Sequence, residues 1–289
     1  MSQPIVLTTD CGAEIDDQFA LAHQVLSPAL DLRAVVTTHV GEHPTPGESA
    51  SEFTAGCSRE VFENLPLARA APEVVAGSPV PLEAQGKPRS GPGAERILAE
   101  AEGFGSNNRL TVLAIGAVTD VASALLLDPT LIERVEVLAM GYNAWPAGGD
   151  PFNVKNDIPA WQALLDSGVP LTVGDSAVCK RHLVLTPEAA KKRFANGAAI
   201  YIEGIFTAWV EAHARICKFV TGDERGWPIW DQVTTAHLLG MTEAVSHVRP
   251  RLADDISFVH DEASRPSINW ITHVDEDRLW GDLAELLAG

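Results

Sequence analysis

The chain has 289 residues, with 21 Lys and Arg against 39 Asp and Glu, a formal charge of −18 at pH 7, and 46% hydrophobic residues. That apolar share supports a sizeable core and excludes disorder as a whole-chain reading. The acidity and the lack of long basic runs argue against a nucleic-acid or anionic-membrane surface.

In chain order, residues 4–9 read as a buried strand, 16–26 as a helix, 32–40 as a strand and 47–65 as a helix. Residues 70–92, rich in Pro and Gly, read as loop with one short strand at 73–76. A helix at 93–102, a strand at 110–115, a helix at 119–127, a strand at 134–140, a helix at 157–165 and a strand at 170–173 follow. This alternation predicts an α/β fold: a doubly wound, mostly parallel, Rossmann-like sheet with helices on both faces. Longer helices at 187–195, 197–220 and 229–239 predict a helical C-terminal elaboration, closed by a strand at 267–274 and a helix at 275–287. With no linker-like stretch and no internal repeat, a single domain over 1–289 is expected. The N-terminus has no signal-peptide pattern, and no run approaches the ~20 apolar residues of a membrane-spanning helix. The expected setting is therefore cytoplasmic and reduced. Cys11, Cys57, Cys179 and Cys217 lie far apart, in no spacing typical of a structural zinc site.

The most informative segment follows the first strand: Thr8-Thr9-Asp10-Cys11-Gly12-Ala13-Glu14-Ile15-Asp16-Asp17-Gln18. In an open α/β sheet, ligands bind beyond the carboxyl ends of the strands, where this segment falls. Asp16 and Asp17 suit a helix start through capping and the helix dipole. Capping does not account for Asp10, on the strand side of the turn. A hard cation does, because Ca²⁺ collects ~6–8 oxygens and bridges carboxylates from both sides of a loop.

This segment resembles the signature D-x-D-x-G-x-D-D of the nucleoside hydrolase family, the inosine- and uridine-preferring superfamily. Further matches follow in family order. Ala76-Gly77-Ser78-Pro79-Val80-Pro81-Leu82 resembles the Gly-to-Pro-Leu loop, and Ala114-Ile115-Gly116-Ala117-Val118-Thr119-Asp120-Val121-Ala122 the G-P-L-T-N-[IL]-A turn. Met140-Gly141 resembles the M-G-G strand end, Phe152-Asn153 with Asp157 the E-F-N-x-x-x-D-P segment, and Trp230-Asp231 the late H-D or W-D pair.

The resemblance implies a Ca²⁺-dependent N-ribohydrolase acting on a nucleoside, a small-molecule substrate. It implies Ca²⁺ ligands at Asp10, Asp17, the backbone carbonyl of Thr119, and Asp231, with Asp10 as general base for a water. Asn153 would bind sugar hydroxyls. Trp230 stands where one branch of the family has His, as in the purine-specific type acting on inosine, adenosine and guanosine, so purines are expected to stack there. Trp145, Trp227 and Phe152 are candidates for a second aromatic wall.

Some positions depart from the family pattern. Thr8 replaces the first aspartate of the signature, and the loop is longer by Ala13-Glu14, which adds Asp16 and Glu14 as candidate ligands. Glu42 stands for a sugar-contacting Asn, and Pro151 for the Glu of E-F-N, with Asp150 one residue earlier as a substitute. These departures keep a second reading open, a non-catalytic or differently specific calcium-dependent sugar- or nucleoside-binding protein. A third is an acidic α/β domain without a metal, and homo-oligomerisation is left open. His39 and His43 read as loop residues, Lys180, Arg181 and His182 as a solvated loop, and His213 and His237 as helix residues. Cys11, lacking a positioned His partner, is not expected to be a nucleophile.

Overall fold

In β1 (Gln3–Thr9), Ile5 and Leu7 face one side of the sheet and Val6 the other, and all three are fully buried. A strand apolar on both faces must lie between two layers of helix. A computed structural model, describing residues 2–40, 49–150, 152–260 and 265–289, has this arrangement. After β1 come α1 (Asp16–Leu26), β2 (Leu30–Thr37), α2 (Ala50–Glu63), β3 (Glu73–Ala76), α3 (Pro92–Glu100), β4 (Leu110–Ala114), α4 (Thr119–Leu127) and β5 (Val135–Met140). They are followed by α5 (Asn153–Asn156), α6 (Ile158–Asp166), β6 (Leu171–Gly174), α7 (Ser176–His182), β7 (Val184–Leu185), α8 (Pro187–Arg193), α9 (Ala199–Ala212) and α10 (Ala214–Thr221). The chain ends with β8 (Trp227–Pro228), α11 (Gln232–Leu238), β9 (Thr242–Val248), β10 (Arg251–Leu252), β11 (Phe258–Val259), β12 (Ser267–Val274) and α12 (Glu276–Ala288).

The main sheet has eight strands in the order β3-β2-β1-β4-β5-β6-β12-β9. Neighbours are parallel except β9, which runs antiparallel to β12 at the edge. On one face Leu7, Val35, Leu113 and Leu138 pack beneath α1, α2, α9, α11 and α12, where Phe19 meets Phe194, Phe206 and Trp280 edge to face. On the other, Val6, Val36, Val112 and Val137 pack beneath α3, α4 and α6, around Trp161. The strand order reverses between β1 and β4, which opens a crevice at the carboxyl ends of both strands.

The expected strands are present, and three features differ from expectation. The helix expected over 197–220 is two helices: at His213 the ring stacks on Trp209, and its Nδ1 engages the Trp209 carbonyl at 2.8 Å, competing with the helical ladder. Lys180, Arg181 and His182 form the last turn of α7, whose start is fixed by the Asp175 carboxylate accepting from Val178 N at 2.7 Å. β9 is an additional strand that the sequence pattern does not reveal because, as an exposed edge strand, it lacks a buried apolar face. Among the described residues no helix is long and apolar enough to cross a membrane.

Candidate active site

The crevice opens into a cavity of about 540 Å³, within the size range of small-molecule sites. Asp10 enters it from the β1–α1 loop, Asp16 and Asp17 from the first turn of α1, Asp231 from the start of α11, Ile115 from the end of β4, and Asn143, Asp150 and Asn153 from the segment after β5. The β1–α1 loop is shaped by Gly12, at φ +97°, where an added Cβ would stand 2.6 Å from Cys57 Sγ on α2. Ala13 N closes the turn onto Asp10 O at 3.0 Å. Thr9 donates its hydroxyl to Asp17. At Gly116 an added Cβ would lie 2.7 Å from Asp10 Oδ1, so the missing side chain is what admits the Asp10 carboxylate.

Asp10, Asp16, Asp17 and Asp231 are all nearly inaccessible to solvent. Oxygens of Asp16, Asp17 and Asp231 lie within 4.8 Å of one another. Burial, then the charges of Asp16 and Asp150, raises Asp10 from its ordinary 3.8 to about 7. Burial likewise raises Asp16 to about 6, although a hydrogen bond with Asp231 holds it down. Asp17 is pushed well up by burial and by Asp10 and Asp16, and Asp231 by burial and by Asp16, Asp17 and Asp10. Glu14 beside them is raised well above the usual range by burial, Asp16 and Asp10, with Trp230 partly offsetting this. Such a cluster ionises together only around a compensating positive charge, and its donors are all hard oxygens. It therefore fits a hard divalent cation better than a soft one.

The structure brings Asp10, Asp16, Asp17, Asp231, Glu14, Asn153, Phe152 and Trp230 to one cavity, but not Thr119. Thr119 opens α4, so its carbonyl points along that helix. Its hydroxyl accepts from His39 Nε2 at 2.9 Å and donates to Asp157 at 2.6 Å. Ile115, four residues earlier, lines the cavity instead. His39 lies in the loop after β2, as expected, and is there a buried partner of Thr119. Glu42, His43 and Pro151 lie outside the described residues.

Asn153 donates Nδ2 to the carbonyls of Ile115 at 3.0 Å and Met140 at 3.2 Å, leaving Oδ1 as its remaining acceptor. Asp157 accepts from Leu82 N and Ala160 N, tying the Gly77-to-Leu82 loop to α6. Trp230 meets Trp227 edge to face at 5.8 Å, and exposed Phe152, Ile216 and Phe219 add apolar side chains to the lining. Trp145 is not part of this wall; it stacks on His247 at 4.3 Å. Ile216, Phe219 and Val220 are site residues that sequence reasoning misses, although their i, i+3, i+4 spacing on an otherwise exposed helix is an apolar stripe without a core to cover. Burial, and after it the charge of Asp17, pushes the Cys11 thiol well up, which disfavours its thiolate.

The family model described as inosine-uridine preferring nucleoside hydrolase matches residues 5–281. The chain belongs to this family. It is accordingly a nucleoside hydrolase, an enzyme that splits the N-glycosidic bond of a small-molecule nucleoside. The pyrimidine-specific ribonucleoside hydrolase RihA of Enterobacter sp. (strain 638) is 25% identical over 261 residues, 83% of this chain and 80% of that protein. The RihA of Photobacterium profundum is 26% identical over 259 residues, with the same coverage. Among solved structures, the plant nucleoside hydrolase PpNRh1 shares the fold at a TM-score of 0.80 and 16% identity, covering 100% of both chains. The purine-preferring ribonucleoside hydrolase of Gardnerella vaginalis shares it at 0.78 and 15%, covering 99% of both. The α/β nucleoside hydrolase fold expected from the ordered motifs is thus present over the whole chain.

Proposed function

We propose that this nucleoside hydrolase cleaves purine ribonucleosides with the help of Ca²⁺, as one domain that carries the entire site. The observation that carries this reading is a cavity lined by two unlike groups of side chains. Asp10, Asp16, Asp17 and Asp231 supply carboxylates, and Trp230, Trp227 and Phe152 supply aromatic rings, with no histidine among the described lining residues. The carboxylates match a ribose diol and a hard cation held by Asp10, Asp17 and Asp231, with Asp16 and the Ile115 carbonyl as further donors. The aromatic rings match a flat base, and stacking over a bicyclic purine covers more area than over a pyrimidine. A bound Ca²⁺ would supply charge to orient the sugar hydroxyls and acidify the attacking water.

The chain's own groups then divide the work. Asp10 accepts a proton from water as the oxygen attacks C1′, and burial, which raises this carboxyl, makes it a better base than a solvent-exposed aspartate. The C1′–N bond breaks toward an oxocarbenium-like ribosyl group, whose positive charge the neighbouring carboxylates stabilise. Asn153, held by the ends of β4 and β5, presents Oδ1 to a sugar hydroxyl.

The pyrimidine-specific RihA relatives favour the competing preference. A panel of inosine, adenosine, guanosine, uridine and cytidine with Ca²⁺, assayed for released ribose, separates the two. Purine turnover at least about tenfold above pyrimidine is expected, equivalent to about 1.4 kcal/mol of transition-state preference. The reverse order overturns the purine assignment, and no release from any nucleoside overturns the activity itself.

A further inference from the structure

Breaking a C1′–N bond leaves an electron pair on the base nitrogen, and the cavity offers little to receive it. Six of its lining residues are carboxylates: Asp10, Glu14, Asp16, Asp17, Asp150 and Asp231. The residue before Asp231 is Trp230, whose one donor, the indole N–H, is already engaged by Glu14. Among the described lining residues one is basic, Lys180, in the last turn of α7. Its Nζ stands 5.8 Å from the centroid of the Trp230 ring. Among the described residues it has no carboxylate partner, although the protein is strongly acidic.

We propose that Lys180 is the leaving-group residue, the cation that meets the departing nucleobase and protonates it. This rests on the nucleoside hydrolase reading above and adds a residue to it. Three features support the assignment. The ammonium lies over the aromatic ring against which the base would stack, hence beside the base. Its flexible four-carbon stem and three donors let it follow a ring-edge nitrogen or carbonyl oxygen as charge develops. And α7 is anchored where it leaves β6, since the Asp175 carboxylate caps it and also accepts from Trp270 Nε1 at 2.8 Å, so the stem starts from a fixed backbone.

The step balances. The C1′–N bond breaks and its electron pair goes to the base nitrogen, which takes a proton from the Lys180 ammonium. The water oxygen bonds to C1′ and its proton goes to Asp10. Solvent then reprotonates Lys180 as Asp10 releases its proton, and the products are free base and ribose.

The test compares two kinds of leaving group in the full-length enzyme with Ca²⁺. Inosine and uridine release bases that must gain a proton, whereas p-nitrophenyl β-D-ribofuranoside releases a phenolate that is stable as an anion. Lys180→Met, which keeps the stem and removes the charge, is expected to lower kcat on the better nucleoside by about 10²-fold, the low end for a lost general acid. On the p-nitrophenyl riboside it should change kcat by less than about threefold, and Lys180→Arg, whose guanidinium keeps the charge but gives up no proton, should leave most of the nucleoside loss in place. Equal losses on both substrates would indicate a packing role and overturn the proposal, as would an unchanged nucleoside rate. A wild-type enzyme that releases ribose from neither nucleoside overturns the underlying reading, and this assignment with it.

Discussion

Asp16 and Asp231, distant in sequence, meet on the floor of the cavity closely enough for one carboxyl to hydrogen-bond the other. Two carboxylates make that contact only when a proton stands between them, in the place a cation would take. Calcium should therefore stabilise the protein by mass action. About 2.7 kcal/mol is expected at a concentration 100 times Kd. Thermal unfolding with EDTA and then with excess Ca²⁺ should show the rise, and Asp231→Asn should abolish most of it. An identical Tm in both buffers would remove the metal from this site.

Asp10 differs from its neighbours in what surrounds it. Gly116 leaves room for its carboxylate against the β4 turn, and burial holds it as a weak acid at about 7. Asp10→Asn preserves the shape and removes the base, so kcat should fall by about 10²–10⁴-fold with Tm nearly unchanged. Ribose release measured beside a melting curve checks both. Retained turnover would move the base elsewhere in the cluster.

The parallel sheet is legible in the sequence because most of its strands carry short apolar, β-branched runs, such as Val35-Val36 in β2 and Val74-Val75 in β3, separated by stretches of helical spacing, a pattern that survives without knowledge of tertiary contacts. The acidic loop is legible for a related reason: Asp10 to Asp17 are neighbours in the chain, so their crowding is local. Asp231 can be attached to them only through the resemblance, since nothing in its own surroundings marks it. The Thr119 carbonyl rests on the motif alone, because whether Thr119 or Ile115, four residues earlier, lines the cavity depends on where α4 begins, which composition does not resolve. Lys180 reads as solvated in the sequence because its relevance depends on α7 passing beside Trp230, a contact across 50 residues of chain.

His39 gives the fold a pH dependence separate from the catalytic groups. It is almost fully buried, and burial lowers it from 6.5 to about 4. At pH 7 it is neutral in the folded chain and mostly so in the unfolded one, and contributes little. Below 6.5 the unfolded chain binds a proton that the folded chain refuses until about pH 4, so stability falls as pH is lowered through that window. At pH 5 the cost is about 2 kcal/mol. Urea unfolding at pH values of about 7.5 and about 5 should show a smaller loss for His39→Gln than for the wild type. Equal losses would assign the acid sensitivity to other groups.

Gly116→Ala tests the link between backbone and base. The added methyl would stand 2.7 Å from both Asp10 Oδ1 and Thr38 Oγ1 and 2.9 Å from the Asp10 backbone nitrogen. A side chain can swing aside, but the Asp10 nitrogen belongs to the chain leaving β1, where Thr38 N donates to Thr9 O at 2.8 Å, so the clash has to move the loop. Overpacking of this kind costs about 1–3 kcal/mol of stability. Activity should fall further, because displacing a base by ~1 Å costs on the order of 10²-fold in rate. Measuring kcat and Tm on the same preparation separates the two effects. A variant that loses stability but keeps full kcat would mean that the position of Asp10 does not limit the reaction.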